Sequence, residues 1–396
     1  ASTQRVTFIF KKSEVNIMFK KSLAAVAVLA AFAGSAYAAD VTMYGRVDLG
    51  LRFTNTDADV AGQDDVSKFE MASGNYTGSR FGVKGEEDLG NGMKVGFVLE
   101  NGFTADDGSF STAGKLFDRQ SSLHLKGSFG EVAFGRMGIL NGTAGTFGIG
   151  QLSALETGWG DVGNQNHIWG AGFGSRYDNM VTYATPEFAG AKVIAQYSFG
   201  TAPNEIKDGS VWVEGKPTTD RYAGIGVTYN ANNLALRAIV DTINKKSGDS
   251  KVPAKYKDVD DTVRVTLGGS YDFGVVKPFL AASYFKDGTV GAMVGVGGGA
   301  DGTVYDGYGV VLGANAPLFG GTLKATAGYL DAEQQNVAAG ADVTRFIVGA
   351  GYEYKLSKRT VVYADAGYGQ DDIDNKTNGG DKPSFFRAAF GMAHYF

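Results

Sequence analysis

From Val41 to the C-terminus the chain alternates apolar and polar residues, and that period of two limits how it can fold more than any other feature. In 41–54 the odd positions hold Val41, Met43, Gly45, Val47, Leu49, Leu51 and Phe53, and the even positions Thr42, Tyr44, Arg46, Asp48, Gly50 and Arg52. Successive side chains of a strand point to opposite faces, so this is a strand with one apolar and one polar side. Val95, Phe97 and Leu99 oppose Lys94 and Glu100 in the same way, and Val263, Val265, Leu267 and Tyr271 oppose Arg264 and Thr266. Sixteen such segments are read: 41–54, 75–85, 93–103, 115–127, 131–137, 175–185, 191–199, 220–229, 234–243, 261–272, 276–286, 305–314, 321–331, 343–354, 360–369 and 384–396. Short turns, such as 88–92, 128–130, 186–190, 230–233 and 356–358, alternate with long polar connections at 55–74, 104–114, 138–174, 200–219, 244–260, 287–304, 332–342 and 370–383.

An even strand count with alternating short and long connections predicts a 16-stranded antiparallel transmembrane β-barrel. Only a closed sheet leaves no unpaired backbone edge in lipid. The short turns then face the periplasm and the long loops the outside. A soluble sandwich would bury its apolar faces against a second layer. Sixteen strands arranged that way would divide into domains, and the sequence has neither a linker nor a blade-like repeat.

The N-terminus is consistent with export. After Met18, Lys20 and Lys21 precede an apolar run from Leu23 to Ala33 and then Ala36-Tyr37-Ala38. A basic segment, a short apolar core and an A-x-A site make a secretory signal peptide. The run is too short to span a bilayer, which takes about 20 residues. The expected organisation is therefore an upstream extension at 1–17, a signal peptide at 18–38 and a barrel at 39–396. The barrel part lacks Arg5, Lys11, Lys12, Lys20, Lys21 and Glu14, which leaves 32 basic and 41 acidic residues, a net of −9. That balance argues against nucleic acid as a partner. With no cysteine, neither a disulfide framework nor thiol chemistry is available. The 59 glycines, 7 prolines and 45 tyrosines plus phenylalanines exclude collagen and oppose disorder.

Several stretches, each weak alone, together resemble the general diffusion porins of Gram-negative bacteria, and among them the trimeric porins of betaproteobacteria. They are Val41-Thr42-Met43-Tyr44-Gly45-Arg46-Val47-Asp48, Gly78-Ser79-Arg80-Phe81-Gly82-Val83-Lys84-Gly85-Glu86-Glu87-Asp88-Leu89-Gly90, Leu116-Phe117-Asp118-Arg119-Gln120, Phe134-Gly135-Arg136, Val181–Phe188 and Tyr354–Thr360. The resemblance implies a passive diffusion channel for ions and small hydrophilic solutes, a homotrimer in outer-membrane lipid, and a third loop folded into the pore. That loop is 138–174, whose only acidic residues are Glu156 and Asp161. Arg46, Arg80, Arg119 and Arg176 match the positions where the family places pore-lining basic residues. Parity agrees for Arg46, Arg80 and Arg176, which oppose the apolar face. It disagrees for Arg119, which shares the parity of Leu123 and Leu125, so either a bulge near Ser121-Ser122 flips the face or Arg119 leaves the lumen. Arg136 stays ambiguous. Phe396, on the parity of Met392, Phe390 and Phe386, resembles the signal read by the barrel assembly machinery.

Acidic loop groups facing a basic wall would set a transverse field across a wet constriction and bias ion passage. Two other functions fit the same chain: a channel selective for phosphate or another anion, and a closed structural or adhesive barrel. Enzyme chemistry has little support. His124, His167 and His394 have no metal-ligand partner at useful spacing, and no G-x-S-x-G elbow occurs. Gly295–Ala300 matches a dinucleotide fingerprint only by letters. Asp57, Asp59, Asp64 and Asp65 read as solvated loop charge rather than a calcium site. No cofactor or metal is expected.

Overall fold

The structure, a computed structural model, describes residues 40–155, 159, 162, 166–169, 172–201, 205–207, 210–212, 214, 219–245, 260–291, 293, 304–335, 341–375 and 380–396. The expected upstream extension and signal peptide lie outside these residues. The strands are β1 (Thr42–Asp57), β2 (Val66–Ser73), β3 (Arg80–Gly90), β4 (Met93–Gly102), β5 (Gln120–Gly127), β6 (Gly130–Gly138), β7 (Arg176–Ala184), β8 (Ala191–Ser198), β9 (Glu205–Lys207), β10 (Ser210–Trp212), β11 (Arg221–Ala231), β12 (Leu234–Asn244), β13 (Thr262–Tyr271), β14 (Lys277–Gly288), β15 (Tyr305–Leu318), β16 (Gly321–Gln334), β17 (Ala341–Lys355), β18 (Thr360–Asn375) and β19 (Ser384–Tyr395). A helical turn, α1 (Asn166–Trp169), lies between β6 and β7.

Each wall strand pairs antiparallel with its neighbour, and β19 pairs back onto β1 from Arg46↔Tyr395 to Asp57↔Ser384. The ring is therefore closed. β2 and β3 both pair with β1, over Leu49–Thr56 and Thr42–Arg46 respectively, so they are two halves of one wall strand. Counted this way the barrel has sixteen strands, as the alternation predicts. β9 and β10 form a separate hairpin.

The two faces follow the sequence pattern. In β13, Leu267 is 56% exposed on the outside, whereas Arg264 is 1% exposed on the inside. A one-residue slip would turn every such arginine to lipid, at about 2–4 kcal/mol each near the bilayer midplane. The short turns use left-handed backbone where the strand twist requires it: Phe319 and Gly320, between paired Leu318 and Gly321, have φ of 47° and 81°. Two residues with positive φ are the type I′ signature of a tight hairpin.

Two sequence expectations need correction. The 55–74 connection is mostly strand: β1 runs to Asp57 and β2 starts at Val66. Phe69 and Met71 do alternate with Lys68 and Glu70, but over too short a span to register as a strand. The interruption at 74–79 is built by Asp48, whose carboxylate accepts from Tyr76 N (2.8 Å) and Thr77 N (2.6 Å) while its carbonyl accepts from Gly74 N (3.1 Å). The segment expected at 115–127 is strand only from Gln120. Before it, Asp118 accepts from Gly102 N and the Thr112 hydroxyl, which holds a turn in place of strand pairing.

Candidate functional site

The described residues of the longest connection, between β6 and β7, do not leave the barrel. They pack inside it in two apolar clusters. Ile139, Leu140 and Phe147 lie with Met137, Tyr177, Tyr222 and Ile239. Leu152, Leu155, Trp159, Val162, Ile168 and Trp169 lie with Val311, Ile347, Tyr363 and Phe385. The wall is shaped to receive them. Gly349 and Gly367 face Val162, Gly351 faces Trp159, and Gly309 and Gly328 face Ile168, each closer than any side chain would permit. A larger residue there would overlap the loop.

Polar anchors complete the attachment. Arg345 on β17 is paired to Asp371 at 2.6 and 2.7 Å and donates to the carbonyls of His167 and Gly291, both at 2.8 Å. Arg387 on β19 donates to Trp159 O at 2.5 Å and Asn75 O at 3.2 Å. Arg264, paired to Asp241, stands 4.0 Å from the Phe173 ring centroid. Asn141 donates to Thr266, and Trp159 N to Tyr76 O. All three arginines are 1% exposed or less. Removing one partner of such a buried pair costs about 3–5 kcal/mol, so the loop is fixed to this wall.

The predicted arginines lie on β1 and β3, immediately before β5 and at the start of β7. Arg46 and Arg80 are direct register partners across β1 and β3. Like charges placed opposite each other are destabilising, so this pair works against stability. Arg46 donates to Thr77 Oγ1 (3.0 Å) and lies 5.0 Å from the Tyr395 ring centroid. Arg80 donates to Gly78 O (2.9 Å) and stands 3.8 Å from Glu100. Arg119 Nε donates to Glu100 Oε1 at 2.7 Å. Arg176 donates to Ser175 and, like Arg46 and Arg119, repels Arg80. The structure thus groups Arg46, Arg80, Arg119 and Arg176. Glu156 and Asp161 lie outside the described residues.

Arg119 joins the group, and β5 has no bulge near Ser121-Ser122. It precedes β5, so strand parity does not govern it, and β5 alternates regularly from Gln120 inward to Leu123 outward. Arg136 keeps the parity of outward Phe134 and donates to Asp118 O (2.6 Å) and Asp178 (2.5 Å), apart from Glu100. Sequence reasoning missed the centre of the cluster, Glu100, which also accepts from Tyr44 Oη at 3.0 Å. Its inward parity on β4 was visible; its partners were not, because they come from β1, β3 and the turn before β5.

Over 25–375 the sequence matches the family model described as Gram-negative porin. An outer membrane porin protein of Bordetella pertussis is 34% identical, over 88% of this chain and 94% of that one. The chain belongs to the Gram-negative porins. It is also 33% identical to outer membrane porin protein 32 of Delftia acidovorans, over 88% of this chain and 89% of that one. Among solved structures, an anion-selective porin from Comamonas acidovorans has a TM-score of 0.64 at 28% identity, covering 90% of this chain and 100% of that one. This porin is an outer-membrane diffusion channel.

The porin's histidines have defined partners. His394 meets Thr360, and the His167 carbonyl accepts from Arg345. His124 Nε2 lies 2.8 Å from Ser122 Oγ and its Nδ1 2.8 Å from Glu131. That connectivity is the one a hydrolytic triad uses. Here Ser122 Oγ also accepts from Gln120 (2.8 Å), Ser122 is 6% exposed, and the adjoining cavity of about 280 Å³ is lined by His124 and Glu131 but not by Ser122. Asp57 accepts from Asp59 N, and Asp59 from the distant Lys382 N. Among the described residues no group of three possible metal ligands occurs, and Gly295–Ala300 lies outside them.

Proposed function

We propose that the constriction of this porin lies between the arginine wall and the docked 139–175 loop, and that it passes small hydrophilic solutes and ions with a preference for anions. The observation that carries the reading is the charge balance of the wall: Arg46, Arg80, Arg119 and Arg176 stand together, Glu100 pairs with Arg80 and Arg119, and Glu100 and Asp118 are the carboxylates that act on Arg176. Charged rings at the narrowest point act on ions where water screens least. The Comamonas acidovorans neighbour, named as anion-selective, supports the same sign. Glu156 and Asp161, on the loop, complete the transverse field in this reading.

The chain works as a homotrimer in outer-membrane lipid, is exported by the 18–38 signal, is inserted by the barrel assembly machinery through Phe396, and has no enzymatic activity. Planar-bilayer recording tests the proposal. Large ohmic steps whose reversal potential in a salt gradient lies toward the chloride potential are expected. A reversal potential toward the cation refutes the anion preference, block by phosphate assigns a phosphate-selective channel, and a barrel that inserts without conducting is a closed structural one.

A further inference from the structure

The short turns at the periplasmic end of the barrel carry apolar residues at their tips. Phe319, Phe188 and Val275 are the most exposed large apolar side chains among the described residues, at 89%, 82% and 77%. Phe319 also has left-handed backbone, with φ of 47°. Other short turns adopt nearly the same φ at Asn91, Ala189 and Asn232, between 49° and 52°. Left-handed backbone suits Asn and disfavours a bulky side chain, so the fold holds Phe319 out at a backbone cost.

Two tyrosines of the outer wall show what these rings face. Tyr352 on β17 has the outward parity of Val348 and Tyr354. Its ring takes up the space beside Gly321, and its hydroxyl donates to the carbonyls of Leu318 (3.0 Å) and Phe319 (3.4 Å). Tyr183 on β7 also faces outward, and its hydroxyl donates to Phe129 O at 2.7 Å. The Phe129 ring lies over Gly127, which has the outward parity of Leu123 and Leu125. Both turns are thus folded against the lipid-facing side of the wall. A tyrosine at a bilayer surface ordinarily keeps its ring in the apolar zone and its hydroxyl in water. These two hydroxyls are engaged by turn carbonyls instead, and the turn phenylalanines stand beyond them. On the 271–277 turn, outward Tyr271 meets Phe273 with ring centroids 4.6 Å apart.

We propose that these turns are membrane anchors: Phe129, Phe188, Phe273 and Phe319 insert into the headgroup boundary of the inner phospholipid leaflet, so that the short turns lie in the lipid interface and not in the periplasm. The placement around the ring favours a leaflet over a protein partner. The β5–β6 and β15–β16 turns stand eight wall strands apart in the ring of sixteen, on opposite sides of the barrel. A protein groove would engage one side, whereas a leaflet surrounds the whole wall.

The chain has no cysteine, so single nitroxide labels can be placed by Phe319→Cys, Phe129→Cys and Asp64→Cys, the last exposed in the connection between β1 and β2. The full-length protein is refolded into vesicles of phosphatidylethanolamine and phosphatidylglycerol. Electron paramagnetic resonance then reads relaxation by oxygen, which concentrates in lipid, and by a water-soluble nickel complex. Labels at 319 and 129 are expected to respond more to oxygen, and the label at 64 more to nickel. Labels at 319 and 129 as open to nickel as the one at 64 overturn the proposal and leave a periplasmic protein as the partner. Phe319→Asn tests the sign of the energy. Asn relieves the left-handed backbone, so without lipid contact the variant is more stable than the wild type. With the anchor, urea titration in the same vesicles gives a folding constant about tenfold lower, the low end of what removing a Phe side chain from water is worth. A variant as stable as the wild type, or more stable, overturns the proposal.

Discussion

Glu100→Gln removes the carboxylate that accepts from Arg119 at 2.7 Å and lies 3.8 Å from Arg80, while leaving a side chain of the same shape. An anion at contact distance from the Arg119 guanidinium passes about 7 Å from that carboxylate, and at a dielectric of 80 their repulsion is about 0.6 kcal/mol. At 0.1 M salt, with a Debye length of about 10 Å, screening halves this. Losing the charge then helps an anion by about 1.6-fold and hinders a cation equally, so the permeability ratio shifts toward anions about threefold. At 1 M salt the Debye length falls to about 3 Å and the shift shrinks to about 1.2-fold. Reversal potentials of Glu100→Gln and wild type, measured in the same gradients around each concentration, give both numbers. A shift toward cations, or one of equal size at both salt levels, would show that Glu100 does not act electrostatically on permeating ions.

Four other outcomes follow from the geometry. Arg345→Met removes one partner of the buried Arg345–Asp371 pair and two donors to loop-side carbonyls; thermal unfolding by circular dichroism should reveal a loss of about 3–5 kcal/mol, with noisier and larger steps in bilayers. Gly349→Val introduces a side chain where Val162 sits; the barrel should still assemble, but the 139–175 loop should become cleavable by added protease. Gly45→Val collides with the Phe396 ring at the β1–β19 seam, where Gly45 and Phe396 exchange both backbone hydrogen bonds at 3.0 Å; refolding into detergent, followed by gel mobility with and without heating, should slow or fail. In the 104–109 turn, Asp107 is held down to about 2 by the Thr104 hydroxyl, then by Ser109. Because the folded carboxyl titrates below its ordinary value, the turn is supported above pH 4 and loses that support only as pH falls through about 2; amide exchange at Ser109 should rise there and not at pH 5.

The sequence by itself determined the strands, their faces and their order, because a period of two is local: each residue needs only its neighbours to show which side it takes. Arg46 and Arg80 could be placed on the inner face for that reason. Parity stops where a strand stops, so for Arg119, one residue before β5, it offered only a bulge or a place outside the lumen. The short stretch at Phe69–Met71 hid half of a wall strand for a similar reason, since its interruption is made by Asp48, far back in β1. The chain also shows glycine at Gly349, Gly351 and Gly367, but not that those gaps receive Val162 and Trp159. Only the tertiary structure decided where the loop rests on the wall, the pairing of Glu100 with Arg119, and the anchors from Arg345 and Arg387. Those contacts join residues far apart in the chain, 228 positions for Arg387 and Trp159 and 315 for Tyr363 and Asp48. Such partners meet only once the ring has closed, and no local pattern encodes them.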